Sequence, residues 1–161
     1  NAGRLLKETG ASAVKLEGGK EIAPTISAMI SADIPVMGHI GLRPQAIHKI
    51  GGYKVQRQEG LIDEAKALED AGVFSLILEC IPRDLAEKIT EAISVPTIGI
   101  GAGKGCDGQV LVINDLLGLT ERKLKFCRRY LEMRREIAGA IQRFIEDVKK
   151  GDFPSENEGF D

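Results

Sequence analysis

The first residue in this chain that predicts chemistry is a carboxylate, Glu79, which ends the apolar run of residues 74–79 and is soon followed by Pro82. A run this apolar indicates a buried strand of a parallel sheet. In α/β barrels, the side chains that do chemistry stand at the carboxyl ends of such strands. Partial burial disfavours the charged form of a carboxylate, which suits a general base or acid near neutral pH. Taken alone, Glu79 is better explained as a rim residue that pairs with a nearby Lys or Arg.

Three further strand patterns also end in polar or glycine residues. Lys15 and Glu17 end one pattern, His39 stands between glycines at the end of another, and a glycine run over residues 99–103 ends a third. Residues two apart on a strand share a face, so Lys15 and Glu17 either neutralise each other or bind a ligand together. If the two residues form a site, Lys15 would bind a substrate carboxylate, and Glu17 would either bind Mg²⁺ directly or form a hydrogen bond to one of its ligands. His39 is expected to donate a hydrogen bond to a ligand.

The glycine run does not predict a dinucleotide site. That fingerprint leads from a glycine turn directly into a helix, whereas here residues 109–113 predict a further strand. A rim loop that passes close to a bound ligand is the better interpretation. Cys80 is expected to point away from Glu79 and pack against helices, and His48 is expected to lie at the surface.

The elements that must position these residues alternate between strand and helix. Hydrophobic spacing and glycine stops predict helices over about 4–9, 20–31, 61–71, 84–93 and 120–150, with a long connection over 41–60. The strands between them number about five and are all parallel, whereas a complete (β/α)8 barrel needs eight strands and about 250 residues. An open α/β sheet and the carboxyl-terminal part of a barrel both fit this pattern. We expect one domain, with a partial barrel over about 1–119, a helical region over about 120–150 and a polar tail over 151–161 that is extended or poorly ordered.

Composition excludes several classes of protein. The chain has 161 residues, of which 43% are hydrophobic and 29% charged, and its formal net charge is -2, as is usual for one globular domain. This balance gives no reason to expect a nucleic acid or an anionic membrane as partner. The three cysteines show neither a disulfide framework nor zinc spacing. With no spanning stretch and no leader pattern, a cytoplasmic location is expected.

Several longer segments resemble the ketopantoate hydroxymethyltransferase family, and they follow one another in the family's order. They are VKLEGG (residues 14–19), PVMGHIGLRPQ (35–45), GGYKVQ (51–56), LECIP (78–82), IGIGAG (98–103) and CDGQ (106–109). The resemblance runs from near the first residue to the Phe-Pro pair at 153–154. It implies a (β/α)8 TIM barrel of the phosphoenolpyruvate/pyruvate type, of which this chain covers roughly the last five strands and the carboxyl-terminal helices.

The resemblance also implies a reaction and roles for the site residues. Such enzymes transfer a hydroxymethyl group from 5,10-methylenetetrahydrofolate to 3-methyl-2-oxobutanoate, giving 2-dehydropantoate, in the first committed step of pantothenate synthesis. By motif match Glu79 would be the proton acceptor, Lys15 would hold the carboxylate of the keto acid, and Glu17 would belong to the Mg²⁺ site. His39 matches an active-site histidine near the substrate. The family further implies a large ring-like homo-oligomer, a decamer.

The chain departs from the family in two places. Gln56 is followed by Arg57 and Gln58, where the family continues with Gly-Arg. The family's amino-terminal part, with two aspartates that bind the metal, has no counterpart here, so we expect either a fragment or a naturally short form. Two alternatives stay open, namely a catalytically silent part-barrel that binds a small anion or another chain, and another 2-oxo-acid lyase or transferase of the same superfamily.

Overall fold

The computed structural model describes residues 1–52, 54–58 and 60–160, without the side chains of residues 49 and 50. Tyr53, within the GGYKVQ segment, lies outside the described residues. The chain divides into two compact units, Asn1–Val110 and Leu111–Asp161. The expected single domain, with a change of character near residue 119, stays a prediction, and each unit is described by itself.

Five parallel strands form the sheet of the first unit, and their order in the sheet is their order along the chain. They are β1 (Val14–Glu17), β2 (Val36–Gly41), β3 (Ser75–Glu79), β4 (Thr97–Ile100) and β5 (Gly108–Gln109). Each strand is added on the same side of the last one, so right-handed crossovers place every connecting helix on one face. A doubly wound sheet would reverse its direction at a switch point. The arrangement is that of part of a (β/α)8 barrel, and within the described residues the sheet is not closed.

Four of the five helices of the first unit begin and end close to the predicted positions, and α3 was not predicted. They are α1 (Ala2–Thr9), α2 (Ala23–Ile30), α3 (Ile47–Ile50), α4 (Leu61–Asp70) and α5 (Arg83–Ala92). Gly10 ends α1 with a φ of 72°, a left-handed conformation that costs glycine little. The helix predicted over residues 20–31 starts with a 3-10 turn, Lys20–Ile22, before α2. The predicted connection over 41–60 contains a second 3-10 turn, Pro44–Ala46, and α3.

The hydrophobic core lies between the sheet and these helices. Ile40, Leu76 and Leu78 of the central strands are fully buried, as is Leu68 of α4. A Cβ atom on Gly38 would touch the side chains of Leu76 and Leu68, so this glycine lets β2 approach α4 closely. Burial of each such side chain contributes roughly 1.5–3 kcal/mol. The helices thus cover one face of the sheet, and the other face is left for a site.

The strand predicted over residues 109–113 is wrong except at its start. β5 ends at Gln109, and a helix, α6 (Ile113–Leu116), begins where the strand was predicted to finish. The backbone N–H groups of Asp115 and Leu116 donate to the carbonyl oxygen of Val112, which forms the first turn of that helix. β5 has β4 as its neighbour on one side. Among the described residues no strand pairs with its other side, so the apolar run gains little from continuing as a strand.

The helix predicted over residues 120–150 occupies the second half of that range, as α7 (Met133–Lys150). In the segment before α7, backbone groups form hydrogen bonds to residues that are distant along the chain. Tyr130 N–H donates to the Leu116 carbonyl oxygen, and the carbonyl oxygens of Thr120 and Glu121 accept from the Arg129 guanidinium. Such tertiary hydrogen bonds compete with a helical ladder.

The polar tail is folded rather than extended. Gly151 ends α7 with a φ of 81°, and the Phe153 ring packs edge-on against Phe144 at a centroid distance of 5.3 Å. A capping box formed by Ser155 and Glu158 holds a last 3-10 turn. In the ranges 1–52, 54–58 and 60–160, no helix has the length and apolar character needed to cross a membrane.

Candidate active site

Three side chains that the sequence singles out meet at the carboxyl ends of β1, β2 and β3. The register pairs Glu17 with His39, and it pairs Gly41, two residues further along β2, with Glu79. Side chains alternate between the faces of a strand, so Glu17, His39 and Glu79 share one face. It is the face that the connecting helices leave uncovered. The strand-end prediction therefore brings these three residues together.

His39 is buried between the two carboxylates. Its side chain is 1% exposed, with Nε2 lying 3.2 Å from Glu79 Oε2 and Nδ1 lying 3.8 Å from Glu17 Oε1. Nε2 also lies 3.0 Å from the carbonyl oxygen of Leu42. Nδ1 has no hydrogen-bond partner in the described part of the chain. A buried polar atom without a partner is costly, so this position is not explained by packing alone.

The turn after β2 links His39 to Glu79 a second time. Leu42 N–H donates to the backbone carbonyl oxygen of Glu79 at 2.8 Å, while the Leu42 carbonyl oxygen is the partner of His39. Gly41 makes this turn possible with a φ of 91°. A Cβ atom on Gly41 would overlap the Glu79 carbonyl oxygen. Glycine is therefore required here by both conformation and space.

Gln45 fastens Glu17 from the neighbouring loop, a role that the sequence did not predict. Its backbone N–H donates to Glu17 Oε2 at 3.2 Å, and its side-chain Nε2 donates to the Glu17 carbonyl oxygen at 3.1 Å. Gln45 stands in the PVMGHIGLRPQ segment, so the resemblance covers it. Its contacts depend on the 3-10 turn Pro44–Ala46, which no hydrophobic period predicts. The sequence therefore marked Gln45 as part of a family segment but did not indicate what its side chain contacts.

Lys15 lies on the same face as Glu17 but does not pair with it. The side chain of Lys15 is exposed, and its ammonium group has no ion pair or hydrogen bond among the described residues. The mutually neutralising pair that the sequence allowed is therefore not formed. An unpaired cation two residues before Glu17 can bind an anionic group at the uncovered face.

Glu17 fits one position of a magnesium site. The described residues contain no group of three His, Cys, Asp or Glu side chains arranged to hold a metal ion. Mg²⁺ is usually held by one or two carboxylates, with water and substrate oxygens as its other ligands. Glu17 Oε2 is occupied by the Gln45 N–H, and Oε1 is left 3.8 Å from His39 Nδ1. One oxygen of a partly buried carboxylate is thus available to a hard cation.

The outer rim beside this site carries opposed charges. Arg43 Nη1 pairs with Glu21 Oε1 at 2.6 Å. A hydrogen bond from its own backbone N–H lowers the pKa of Glu21, and the Arg43 guanidinium contributes to the same shift. Burial raises the pKa of Glu64, and the charge of Glu21 adds to that shift. Arg43 therefore holds the β2 loop against the β1 loop, on the outer side of the Gln45 contact.

The glycine-rich loop after β4 is fixed by hydrogen bonds to Thr97. Asp107 Oδ2 accepts from the Thr97 backbone N–H at 2.8 Å and from its hydroxyl at 3.1 Å, and these bonds lower the pKa of Asp107. Gln109 Nε2 donates to the Gly103 carbonyl oxygen at 2.9 Å. The loop is followed by a strand, β5, whereas a dinucleotide fingerprint would be followed by a helix. This agrees with the prediction of a rim loop.

His48 and the cysteines do not belong to the three-residue cluster. His48 is exposed, as predicted. Cys80 follows β3 with a φ of 51°, an uncommon conformation for a residue other than glycine, and its packing role stays a prediction. Burial raises the pKa of the Cys106 thiol, which keeps it protonated near neutral pH.

The chain is similar to proteins of one enzyme family. A family model described as ketopantoate hydroxymethyltransferase matches residues 1–156. A protein of Geobacter metallireducens named 3-methyl-2-oxobutanoate hydroxymethyltransferase is 57% identical over 166 residues, covering 99% of this chain and 62% of the relative. Proteins with the same name from Syntrophus aciditrophicus and Carboxydothermus hydrogenoformans are 51% and 54% identical, covering 99% of this chain and 61% and 60% of the relatives. The chain thus spans about three-fifths of the length of these curated relatives.

Proposed function

Because this chain belongs to the ketopantoate hydroxymethyltransferase family, we propose that the protein transfers a hydroxymethyl group from 5,10-methylenetetrahydrofolate to 3-methyl-2-oxobutanoate, giving 2-dehydropantoate in pantothenate synthesis. The observation that carries the proposal is the convergence of Glu17, His39 and Glu79 on the uncovered face of the sheet. A base, a hydrogen-bonding group and a hard oxygen ligand at one strand-end rim are what this chemistry needs.

The proposed roles follow from the acidity of the substrate. A carbon next to a ketone is a weak acid, so a carboxylate must stand within reach of its proton. Glu79 removes the C3 proton of the keto acid, and C3 forms a bond to the methylene carbon as one of the two bonds between that carbon and folate nitrogen breaks. Water then replaces the second nitrogen on this carbon, which leaves a hydroxymethyl group on C3 and releases tetrahydrofolate. The two freed nitrogen atoms take up the proton held by Glu79 and one proton of the water. Lys15, exposed on the same face, binds the substrate carboxylate and so orients C3 toward Glu79.

Glu17 would contribute to the metal site. When bound there, Mg²⁺ would act as a Lewis acid on the keto and carboxylate oxygens of the substrate and so acidify C3. Glu17 holds its place through the two Gln45 hydrogen bonds. The remaining ligands would come from the substrate, from water or from protein groups outside the described residues.

The proposal carries two wider expectations from the family, a homo-oligomer and a cytoplasmic location. Sedimentation of the polypeptide expressed from its complete gene tests the first expectation, and fractionation of the source cells tests the second. Neither result bears on the chemical roles, which have their own experiment.

Glu79→Gln tests the base. In D2O, the C3 proton of 3-methyl-2-oxobutanoate exchanges with solvent if the protein removes it, and NMR follows the loss of its signal. We expect the protein expressed from its complete gene to catalyse this exchange in the presence of Mg²⁺. The variant should lose about 100-fold or more of the rate, because general-base catalysis contributes about 10²–10⁴-fold, and its far-UV spectrum and melting temperature should be retained.

Glu91→Gln is the matched control, because Glu91 lies on α5 and is exposed. Exchange at the normal rate in Glu79→Gln would show that the base is another residue. Exchange without formation of 2-dehydropantoate, when methylenetetrahydrofolate is added, would favour another 2-oxo-acid enzyme of the superfamily. No exchange in the unmodified protein would defeat the proposed function itself.

A further inference from the structure

The burial of His39 raises a question about its role. A side chain that is 1% exposed, with Glu17 on one side and Glu79 on the other, offers little surface to a substrate. The neighbours of its Nε2 atom are the Leu42 carbonyl oxygen at 3.0 Å and Glu79 Oε2 at 3.2 Å. Both neighbours belong to the protein, so Nε2 is not the atom through which His39 would make the direct substrate contact expected from the sequence.

The Leu42 carbonyl oxygen determines where the imidazole proton lies. A backbone carbonyl can accept a hydrogen bond but cannot donate one, so a 3.0 Å contact requires a proton on His39 Nε2. The opposite tautomer would place the Nε2 lone pair against the carbonyl oxygen and against Glu79, which is repulsive. The His39 N–H group is therefore donated to the Leu42 carbonyl oxygen, and Glu79 Oε2 lies beside it, 3.2 Å from Nε2.

We propose that His39 is a positioning residue, whose Nε2–H group is donated to the Leu42 carbonyl oxygen and, lying against Glu79 Oε2, also keeps the carboxylate of Glu79 in its proton-accepting orientation. The inference rests on the proposed role of Glu79 as the base. The N–H group stands against Oε2 and leaves Oε1 to take the substrate proton. His39 thus acts on the reaction through Glu79.

The surrounding backbone supports this assignment because it fixes all three partners together. Leu42 is 1% exposed, and its N–H donates to the Glu79 carbonyl oxygen at 2.8 Å. The same residue thus holds the backbone of Glu79 with its N–H and the ring of His39 with its carbonyl oxygen. Such rigid support is what precise placement of a reacting carboxylate requires, since a misplacement of about 1 Å can cost about 100-fold in rate.

The tautomer is tested by NMR on the 161-residue chain. Long-range ¹H–¹⁵N correlations distinguish a protonated from an unprotonated ring nitrogen, and a His48→Gln variant leaves His39 as the single histidine signal. We expect Nε2 to carry a proton. An unprotonated Nε2 in the folded chain would overturn the proposal, whatever the catalytic assays give.

Kinetics on the protein expressed from its complete gene test the role. His39→Ala should lower the rate of C3 proton exchange by about tenfold or more and leave the KM for the keto acid within about twofold. His39→Gln, which keeps an N–H donor, should restore part of the rate. A raised KM with an unchanged rate would mean that His39 binds substrate and would overturn the proposal. His48→Gln, at an exposed position, is the matched control.

A double variant separates positioning from loss of fold. If His39 acts through Glu79, the variant that combines His39→Ala with Glu79→Gln should exchange no more slowly than Glu79→Gln alone. Independent, multiplying losses would overturn the proposal. Failure of the proposed function is recognised separately, because an unmodified protein without exchange activity would still show the His39 tautomer by NMR.

Discussion

At the scale of single residues, Lys15 supplies a direct test of substrate binding. A charge-assisted hydrogen bond contributes about 1.5–3 kcal/mol, and about 1.4 kcal/mol is tenfold in affinity. Lys15→Ala should therefore raise the KM for 3-methyl-2-oxobutanoate by about 10- to 100-fold, with a smaller change in kcat. Lys15→Arg should recover part of the loss because it keeps the charge. Lys7→Ala, in the last turn of α1, is the control, and an unchanged KM in Lys15→Ala would remove this residue from the site.

Gln45 tests how firmly Glu17 is held. Gln45→Ala removes the side-chain bond to the Glu17 carbonyl oxygen but keeps the backbone N–H that binds Oε2. One such hydrogen bond contributes about 0.5–1.5 kcal/mol, so calorimetry should show about 2- to 10-fold weaker Mg²⁺ binding. Glu17→Gln, which removes the ligand itself, should weaken binding further. Gln142→Ala is the control because its amide pairs with Glu146 on α7, and equal affinities in Gln45→Ala and the unmodified protein would contradict the predicted hold.

At the scale of elements, the end of β2 depends on Gly41. Gly41→Ala meets both a left-handed φ of 91° and an overlap with the Glu79 carbonyl oxygen. Gly10 has a φ of 72° with open space around it, so Gly10→Ala isolates the conformational cost of about 1–2 kcal/mol. Denaturant unfolding should show a clearly larger loss for Gly41→Ala, about 3 kcal/mol or more. Equal losses in the two variants would mean that the turn adapts without disturbing Glu79.

The loop after β4 should become sensitive to acid through Asp107. Hydrogen bonds from Thr97 lower the pKa of Asp107 in the folded chain. Its contribution to stability is therefore full above the unfolded value of about 3.9 and is lost as pH falls through the lower folded value. Asp107→Asn should lower the melting temperature at pH 7 by about 1–3 °C, and this difference from the unmodified chain should become smaller below about pH 4. Asp70→Asn, at an exposed position of α4, is the control. A difference in melting temperature that does not change with pH would contradict the stabilising role of the ionised Asp107.

The elements that the sequence predicted well are those whose signals are local. β1 to β4 each combine an apolar run with a glycine or proline boundary, and Gly10 and Gly72 end helices where they were expected. β5 and the segment before α7 were mispredicted because distant partners decide their structure, such as the Tyr130 N–H bond to Leu116. Apolar character alone cannot report the number of neighbouring strands.

The site also combines features with a local sequence signal and features that depend on distant contacts. Glu79 was predicted because a carboxylate at the end of a buried strand is a local signal. Its closeness to His39 needs the strand order and register, which follow from the whole sheet. The Leu42 and Gln45 contacts depend on the backbone of two rim turns. Sequence patterns thus find the chemical groups, whereas the supporting hydrogen bonds that give each group its role come from the folded chain.

At the scale of the whole molecule, β1 is one of the two open edges of the sheet within the described residues. Parallel pairing uses alternate backbone groups, and Val14 N–H and Gly18 N–H donate to Pro35 and His39 on the β2 side. The N–H groups of Lys15 and Glu17 therefore point to the opposite edge. An apolar groove beside β1, lined by residues that include Leu5 and Met29, lies along the same edge. A row of unpaired groups there is what another strand would satisfy.

Hydrogen exchange tests whether this edge is paired in the protein as its source makes it. In the 161-residue chain, the amides of Lys15 and Glu17 should exchange much faster than those of β3, which has a neighbour on each side. In the polypeptide expressed from the complete gene, the same two amides should become protected, because a closed barrel leaves no edge. The β3 amides are the internal control, since they are paired in both. Equally fast exchange at Lys15 and Glu17 in the two proteins would mean that no strand is added at β1, and the silent part-barrel would then be the better description.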